Sequence, residues 1–297
     1  MAQEKDRLKQ KIRTLPQRNS TRKQIAAYAK NPANKPRLDF LPTGTDPQPK
    51  NSGKSNMEVS EEILGGSRAK KMQFPWQIFL EVDGIWVCGG SIISKNWALT
   101  AAHCAYQASI FVVSAGGIDI KRSETGEQKY TSYKAIVHQN YSDKWLINDV
   151  AVIQVALVLD EFVGAIRLPK QSQASNQFAG VTVTASGYGI TRNNGDVSRF
   201  MNFVNLQTIT NAKCAESYGA DFIISSIICT GAHPTKSVCS GDSGGPLMYK
   251  ETDGKYTQIG VVSFGAAYSC NKYPAGYSRV TSFLGWISAN TNIKINK

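Results

Sequence analysis

The sequence predicts an all-β domain closed by a C-terminal helix, behind an N-terminal block that cannot pack. Three observations predict it. Short apolar runs recur along the second part of the chain, separated by Gly-, Asn- and Ser-rich turns. The last apolar run changes period. The first 62 residues hold six of the eleven prolines (Pro16, Pro32, Pro36, Pro42, Pro47, Pro49) and neither Cys nor Trp.

Residues 1–62 come first. The stretch NPANKPRLDFLPTGTDPQPKNSGKSN has few large apolar residues and many breakers, so it predicts an extended or largely disordered segment. A short helix around Gln24–Lys30 is the one regular element expected there. The opening MAQEKDRLKQKIR lacks the apolar stretch of a signal peptide, so export would require a signal already removed or another route.

From Ile63 the text changes. FPWQIFLEVDGIWVCGGSIIS reads as a hairpin, with Asp83-Gly84 as its turn. IFVVSA, YKAIVH, DVAVIQVALV, GVTVTASG, TQIGVVSFG and AGYSRV follow as strands of a barrel or sandwich. In FLGWISANTNI, Phe283, Leu284, Trp286 and Ile287 fall at helical spacing, which predicts a helix over about 283–293. No apolar run approaches the roughly 18 residues of a membrane span, so no membrane partner is expected.

Hydrophobic residues make up 41% of the 297, enough for a sizeable core, and the formal net charge is +12. Such a charge suits polyanions. No aromatics interleave with Lys and Arg as in a nucleic-acid groove, so nucleic acid is not an expected partner. The six cysteines, Cys88, Cys104, Cys214, Cys229, Cys239 and Cys270, form no C-x-x-C pair and are even in number. Zinc is therefore a poor reading, no metal or cofactor is expected, and disulfides in an oxidising compartment fit better. Spacing alone leaves their pairing open.

Three motifs carry chemistry. Ser237–Pro246 reads SVCSGDSGGP. A serine hydroxyl is a weak nucleophile without a base, and the oxyanion formed on attack needs preorganised donors. Glycines beside Ser243 let backbone amides approach a substrate closely. Leu99–Cys104 reads LTAAHC and holds His103, one of three histidines and able to take a serine proton near neutral pH. His138 and His233 lack such a setting. Asn148–Val155 reads NDVAVIQV. There Asp149 borders an apolar strand, where a carboxylate needs partners, and orienting a histidine would supply one.

In that order TAAHC, NDVAV and GDSGGP resemble the chymotrypsin-like (trypsin-fold) serine endopeptidases. The resemblance runs from Ile63 to the C-terminus. It implies two six-stranded antiparallel β-barrels, over about 63–165 and 178–280, with the site between them. It implies a triad of His103, Asp149 and Ser243, an oxyanion hole from the amides of Gly241 and Ser243, and disulfides Cys88–Cys104, Cys214–Cys229 and Cys239–Cys270. Ser263 would support the aspartate, and Ser263, Phe264 and Gly265 would pair with substrate backbone.

The resemblance also gives EEILGG a meaning. Zymogens of this family are cut before an I-V-G-G-like sequence, and Ile63-Leu64-Gly65-Gly66 is similar. Residues 1–62 would be a propeptide, and the freed Ile63 amine would pair with Asp242. Glu62 precedes the cut where relatives carry Arg or Lys, so the activating protease would not be trypsin-like. The propeptide has no cysteine to tether it afterwards. By the same resemblance Ser237 would stand at the base of the specificity pocket, where trypsin-like members carry Asp. A cationic side chain would find no partner there, so apolar or aromatic P1 residues are expected. Ala275 replaces a usual Gly on the pocket wall and would favour Leu or Met over Trp. The expected protein is thus a secreted zymogen acting on proteins or peptides, with protein inhibitors as possible partners. Elastase-like specificity and a non-catalytic binding homologue are the alternatives.

Overall fold

The computed structural model describes residues 64–191, 196–266 and 270–297. The expected helix at Gln24–Lys30, the propeptide, Glu62 and Ile63 lie outside the described residues.

The predicted hairpin forms from β2 (Gln77–Val82) and β3 (Trp86–Ser94), paired antiparallel with Val82 opposite Trp86. Asp83 and Gly84 both take positive φ (52° and 66°), which matches the right-handed twist of the flanking strands. Then come β4 (Trp97–Thr100), β5 (Phe111–Ala115), β6 (Gln128–Ser132), β7 (Ala135–Val137) and β8 (Ala151–Gln154). These seven make one antiparallel sheet, in the order β6-β5-β2-β3-β4-β8-β7. Only Tyr133 and Lys134 separate β6 from β7, so one bent segment supplies both edges of the sheet. Lys134 N–H donates to Ser132 Oγ at that bend.

The second sheet contains β1 (Ser67–Arg68), β9 (Thr182–Gly187), β10 (Asn202–Ile209), β11 (Ile227–Thr230), β12 (Pro246–Lys250), β13 (Tyr256–Phe264) and β14 (Ala275–Arg279). Its order is β1-β10-β11-β14-β13-β12-β9, and β9 pairs back onto β10 to close a six-stranded barrel. Each sheet has seven members rather than the expected six. The bend at Tyr133–Lys134 divides one strand in the first sheet, and β1 adds to β10 in the second.

Strand β10 escaped the sequence reading because two of its inward positions are polar. Its burial alternates regularly, with Asn202, Val204, Leu206 and Thr208 inside and Asn205 and Gln207 exposed. The terminal helix is shorter than expected. A 3-10 turn over Val280–Phe283 precedes an α-helix over Leu284–Thr291. Phe283, Leu284 and Ile287 join a core cluster with Ile92, Leu99 and Ile153 of the first barrel. Asn292 caps the helix in the left-handed conformation.

Buried polar groups join the barrels. Ser186 Oγ donates to Gln77 Oε1 at 2.7 Å, and Ser91 Oγ donates to Gln258 Oε1 at 2.5 Å. Such pairs are costly to bury half-satisfied, so they fix how one barrel faces the other. Among the described residues no helix is long and apolar enough to cross a membrane.

Candidate active site

The register of β4 on β8 brings His103 and Asp149 together across 46 residues of sequence. Thr100 lies opposite Ala151 in an antiparallel pair. The chain leaving β4 and the chain entering β8 therefore share one end of the sheet. His103 sits in α1 (Ala102–Ala105), a single turn just past β4. Asp149 sits just ahead of β8, after Asn148 at φ 56°.

Asp149 is fully buried. Its Oδ1 accepts the backbone N–H of His103 at 2.8 Å, and Oδ2 lies 2.8 Å from His103 Nδ1. Ser263 Oγ donates to the same Oδ2 at 2.5 Å. Burial pulls the imidazole pKa down, but the charge and hydrogen bond of Asp149 outweigh it and leave it raised. With Nδ1 committed to Asp149, Nε2 is the nitrogen left to exchange a proton. It is buried, with no hydrogen-bond partner in the described structure.

Ser243 is partly exposed, on the tight turn that enters β12. Gly89 N–H donates to the Ser243 carbonyl at 2.7 Å, Gly244 N–H donates to Val262 O at 2.8 Å, and Gly245 N–H donates to Asp242 O at 2.9 Å. The first ties the turn to β3 of the first barrel, the second ties it to β13 of the second, and the third closes the turn on itself. Gly244 has φ 81°, and a Cβ there would collide with Thr100 Oγ1. Gly241 has φ 95°, and a Cβ there would press on Val197 and Gly189. Both glycines are thus required by the turn and by close approach.

Asp242 points inward from this turn and is fully buried. Gly189 N–H donates to Oδ1 at 2.8 Å and Cys239 N–H donates to Oδ2 at 3.0 Å. Burial pushes its pKa up to about 6, against the pull of those two amides. Gly187 and Gly189 leave room for the carboxylate, since a Cβ on either would collide with it. Sequence reasoning missed this pair. Two glycines spaced by one residue at a strand end, in SGYG, were the available signal. It missed Ser278 as well, whose Oγ donates to the Asp149 carbonyl at 2.7 Å.

Beside the turn, Ser237 and Ala275 are buried. Ser237 N–H donates to Leu64 O at 3.2 Å. Leu64 packs against Ile190 and the Cys239–Cys270 disulfide. Phe264 lies over Gly276 and meets Tyr218 and Phe222 edge-on, at 5.2 and 4.8 Å between ring centres. Gly265 is exposed next to it. Cys88–Cys104 and Cys214–Cys229 form the other two disulfides. The Cys88 and Cys104 sulfurs near the imidazole are bonded to each other and offer a metal no thiolate. A separate cavity of about 530 Å³ is lined by Thr184, Asn205, Tyr249, Lys250 and Tyr256 and by none of these site residues.

The family described as Trypsin matches residues 63–287. The chain is similar to a collagenase of Hypoderma lineatum, 37% identical over 238 residues that cover 78% of this chain and 88% of that protein. It is similar to brachyurin of Leptuca pugilator, 35% identical over 78% of this chain and 99% of that protein. It is also similar to chymotrypsin-like elastase family member 1 of Canis lupus familiaris, 32% identical over 78% and 93%. A solved HL collagenase structure superposes with a TM-score of 0.71 at 35% identity, over 78% of this chain and all of that one.

Proposed function

The chain belongs to the trypsin family and is a chymotrypsin-like serine endopeptidase; from that premise we propose how its residues divide the work. Ser243 is the nucleophile, His103 the general base and then acid, and Asp149 the group that orients His103. Ser243 Oγ attacks the peptide carbonyl while its proton passes to His103 Nε2. The oxyanion is held by the amides of Gly241 and Ser243. The C–N bond breaks as Nε2 returns the proton to the leaving amine, leaving an acyl-serine. Water, deprotonated by the same nitrogen, hydrolyses the ester and frees Ser243.

The observation that carries this reading is the arrangement at His103. A fully buried carboxylate grips both its backbone N–H and Nδ1, and the opposite ring nitrogen has no hydrogen-bond partner among the described residues. A structural histidine of this burial would have both nitrogens satisfied.

Residues 1–62 serve as a propeptide in this reading, and the cut falls at Glu62–Ile63. The freed ammonium of Ile63 enters the protein beside Leu64 and pairs with Asp242. An unpaired buried carboxylate is costly, and a cation relieves that cost. The activating protease accepts Glu before the cut and so differs from trypsin. Ser237 leaves the pocket base uncharged, and the buried Ala275 narrows its wall. Leu, Met and Phe are therefore the preferred P1 residues. The enzyme works outside the cell, where its three disulfides persist. It acts on proteins and peptides, with collagen a substrate to assay first given the collagenase likeness.

The test compares the 297-residue chain with a form beginning at Ile63, on peptides with Phe, Leu, Ala or Arg at P1. The Ile63 form should cleave after Leu and Phe, the full chain should be nearly silent, and Ser243→Ala should silence both. Cleavage chiefly after Arg would sink the pocket reading. Equal activity of the two forms would sink the zymogen reading. Turnover only of small aliphatic P1 residues would make the enzyme elastase-like.

A further inference from the structure

Charge is sorted by depth where the loop at Gly116–Glu127 meets the second barrel. Residues 118–120 run along residues 199–201, with Ile120 N–H donating to Arg199 O at 3.0 Å and Met201 N–H donating to Ile118 O at 2.8 Å. On the far side, Ala69 N–H donates to Met201 O at 2.8 Å, next to β1. The acids of this region face inward. Asp119 is 10% exposed and bound by both Nε and Nη2 of Arg199, at 2.9 and 2.7 Å. Glu124 Oε2 accepts the N–H groups of Ile118 and Asp119, and Glu127 accepts that of Glu124.

The cations face outward. Arg68, Lys70, Lys121 and Arg122 are all exposed. The Arg68 guanidinium lies 3.3 Å from the centre of the Phe200 ring, opposite Asp119 in the ladder. Lys71 Nζ donates to Thr125 O at 2.6 Å and ties the same loop to the chain after β1. Among the described residues, no carboxylate stands within ion-pair distance of Lys70, Lys121 or Arg122. The surface is a basic patch whose local acids are already engaged beneath it.

The chain itself carries the complementary charge. Glu58, Glu61 and Glu62 lie just ahead of Leu64 in EVSEEILGG. Leu64 is fixed by its bond to Ser237, and Gly65 follows at φ 63°, so the chain bends there. Arg68 is four residues beyond Leu64 and Glu58 six before it. At roughly 3.3–3.6 Å per residue the acidic arm reaches about 20 Å, far enough to fold back along the arm that bears Arg68 and Lys70.

We infer that the acidic segment Glu58–Glu62 docks on the basic patch of Arg68, Lys70, Lys121 and Arg122. Covalent attachment gives it an effective concentration in the millimolar range, which favours it over a free polyanion. Docked, it holds the bond after Glu62 against the surface and slows a protease that approaches it. The docking does not need that bond to be the natural activation site; its bearing on activation rests on the zymogen reading above.

The test uses the full chain carrying Ser243→Ala, to prevent self-cleavage. A glutamate-specific endopeptidase is the probe. Cleavage after Glu62 is timed at about 0.01 M and about 1 M salt, where screening lengths are about 30 and 3 Å. Each rate is divided by that of a free peptide of residues 56–69 under the same conditions. The normalised rate should rise about tenfold with salt. The triple variant Lys70→Glu, Lys121→Glu, Arg122→Glu should be cut fast at both concentrations. Adding Glu58→Lys and Glu61→Lys to that variant should restore slow cutting at low salt. If the triple variant misfolds, Glu58→Lys with Glu61→Lys on the native patch must give the same acceleration. Equal normalised rates with and without the patch would overturn the proposal. So would a variant that loses retention on heparin while its cutting rate is unchanged, because the patch would then serve an outside polyanion. The zymogen reading fails separately, on activity rather than on cutting rate.

Discussion

Asp149 and Asp242 are both completely buried, yet their niches differ. The Asp149 carboxylate takes three hydrogen bonds, two from His103 and one from Ser263, and its own carbonyl takes a fourth from Ser278. The turn after β4 of the first barrel and strands β13 and β14 of the second contribute, and a titratable cation former stands at 2.8 Å. The Asp242 carboxylate takes two, both from backbone amides, and no cation stands within ion-pair distance among the described residues. The first niche is complete within the described residues. The second is shaped for a carboxylate but lacks a counter-charge there, which is why burial pushes that acid up to about 6. Burial alone does not assign a role to an acidic residue; its set of partners does.

The sharpest way to break this comparison is Asp149→Asn in the Ile63 form. An amide cannot take both His103 bonds and the Ser263 bond as acceptors, so the imidazole is held in the wrong tautomer. kcat/KM should fall on the order of 10⁴-fold, a magnitude carried over from triads of this kind. A fall of under tenfold would mean that Asp149 is only a packing group.

Asp242→Asn comes next. Removing one partner of a buried ion pair costs about 3–5 kcal/mol, or roughly 10²–10⁴ in the population of the ordered turn. The loss should appear in the Ile63 form and be nearly absent from the 297-residue chain, whose Ile63 nitrogen is an amide. Gly189→Ala should act in the same direction without changing charge, because its methyl would displace the carboxylate. An equal effect of Asp242→Asn on both forms would remove the distinction between the two niches.

Ser263→Ala tests whether the third bond to Asp149 matters once His103 is in place. A hydrogen bond to a charged group is worth about 1.5–3 kcal/mol, so kcat should fall about 10- to 100-fold, with KM nearly unchanged. Restoration by Ser263→Thr would tie the loss to the hydroxyl.

The two niches were not equally legible in the sequence. The all-β class could be read from recurring short runs and the terminal helix from its period. The hairpin could be placed to the residue, because Asp83-Gly84 is strong turn chemistry. Strand β10 could not, because Asn202 and Thr208 occupy inward positions that a hydrophobic pattern scores as surface. His103 and Asp149 stand 46 residues apart, and no local pattern joins them. Only the resemblance placed them together, and physically it is the β4–β8 register that does so. The Asp242 niche was harder still. The acid lies in a recognisable motif, but the space around it is made by the missing side chains of Gly187 and Gly189.

The smallest effect separates the niches by pH. The folded-state pKa of Asp242, about 6, lies above the roughly 4 of an unfolded carboxyl. A raised acid stabilises the fold fully below the unfolded value, and that contribution is lost as pH rises through the folded value. The full chain should therefore lose stability between about pH 4 and 6, by at most about 3 kcal/mol from this group. His103, also raised, adds a loss of the same sign at higher pH. In the Ile63 form the ammonium keeps Asp242 ionised, and the loss over pH 4–6 should disappear. Thermal melts of both forms from pH 4 to 8, with Asp242→Asn as the reference for all other groups, measure it. Parallel curves for the two forms would mean that the new amine never reaches Asp242, and the second niche would need another partner.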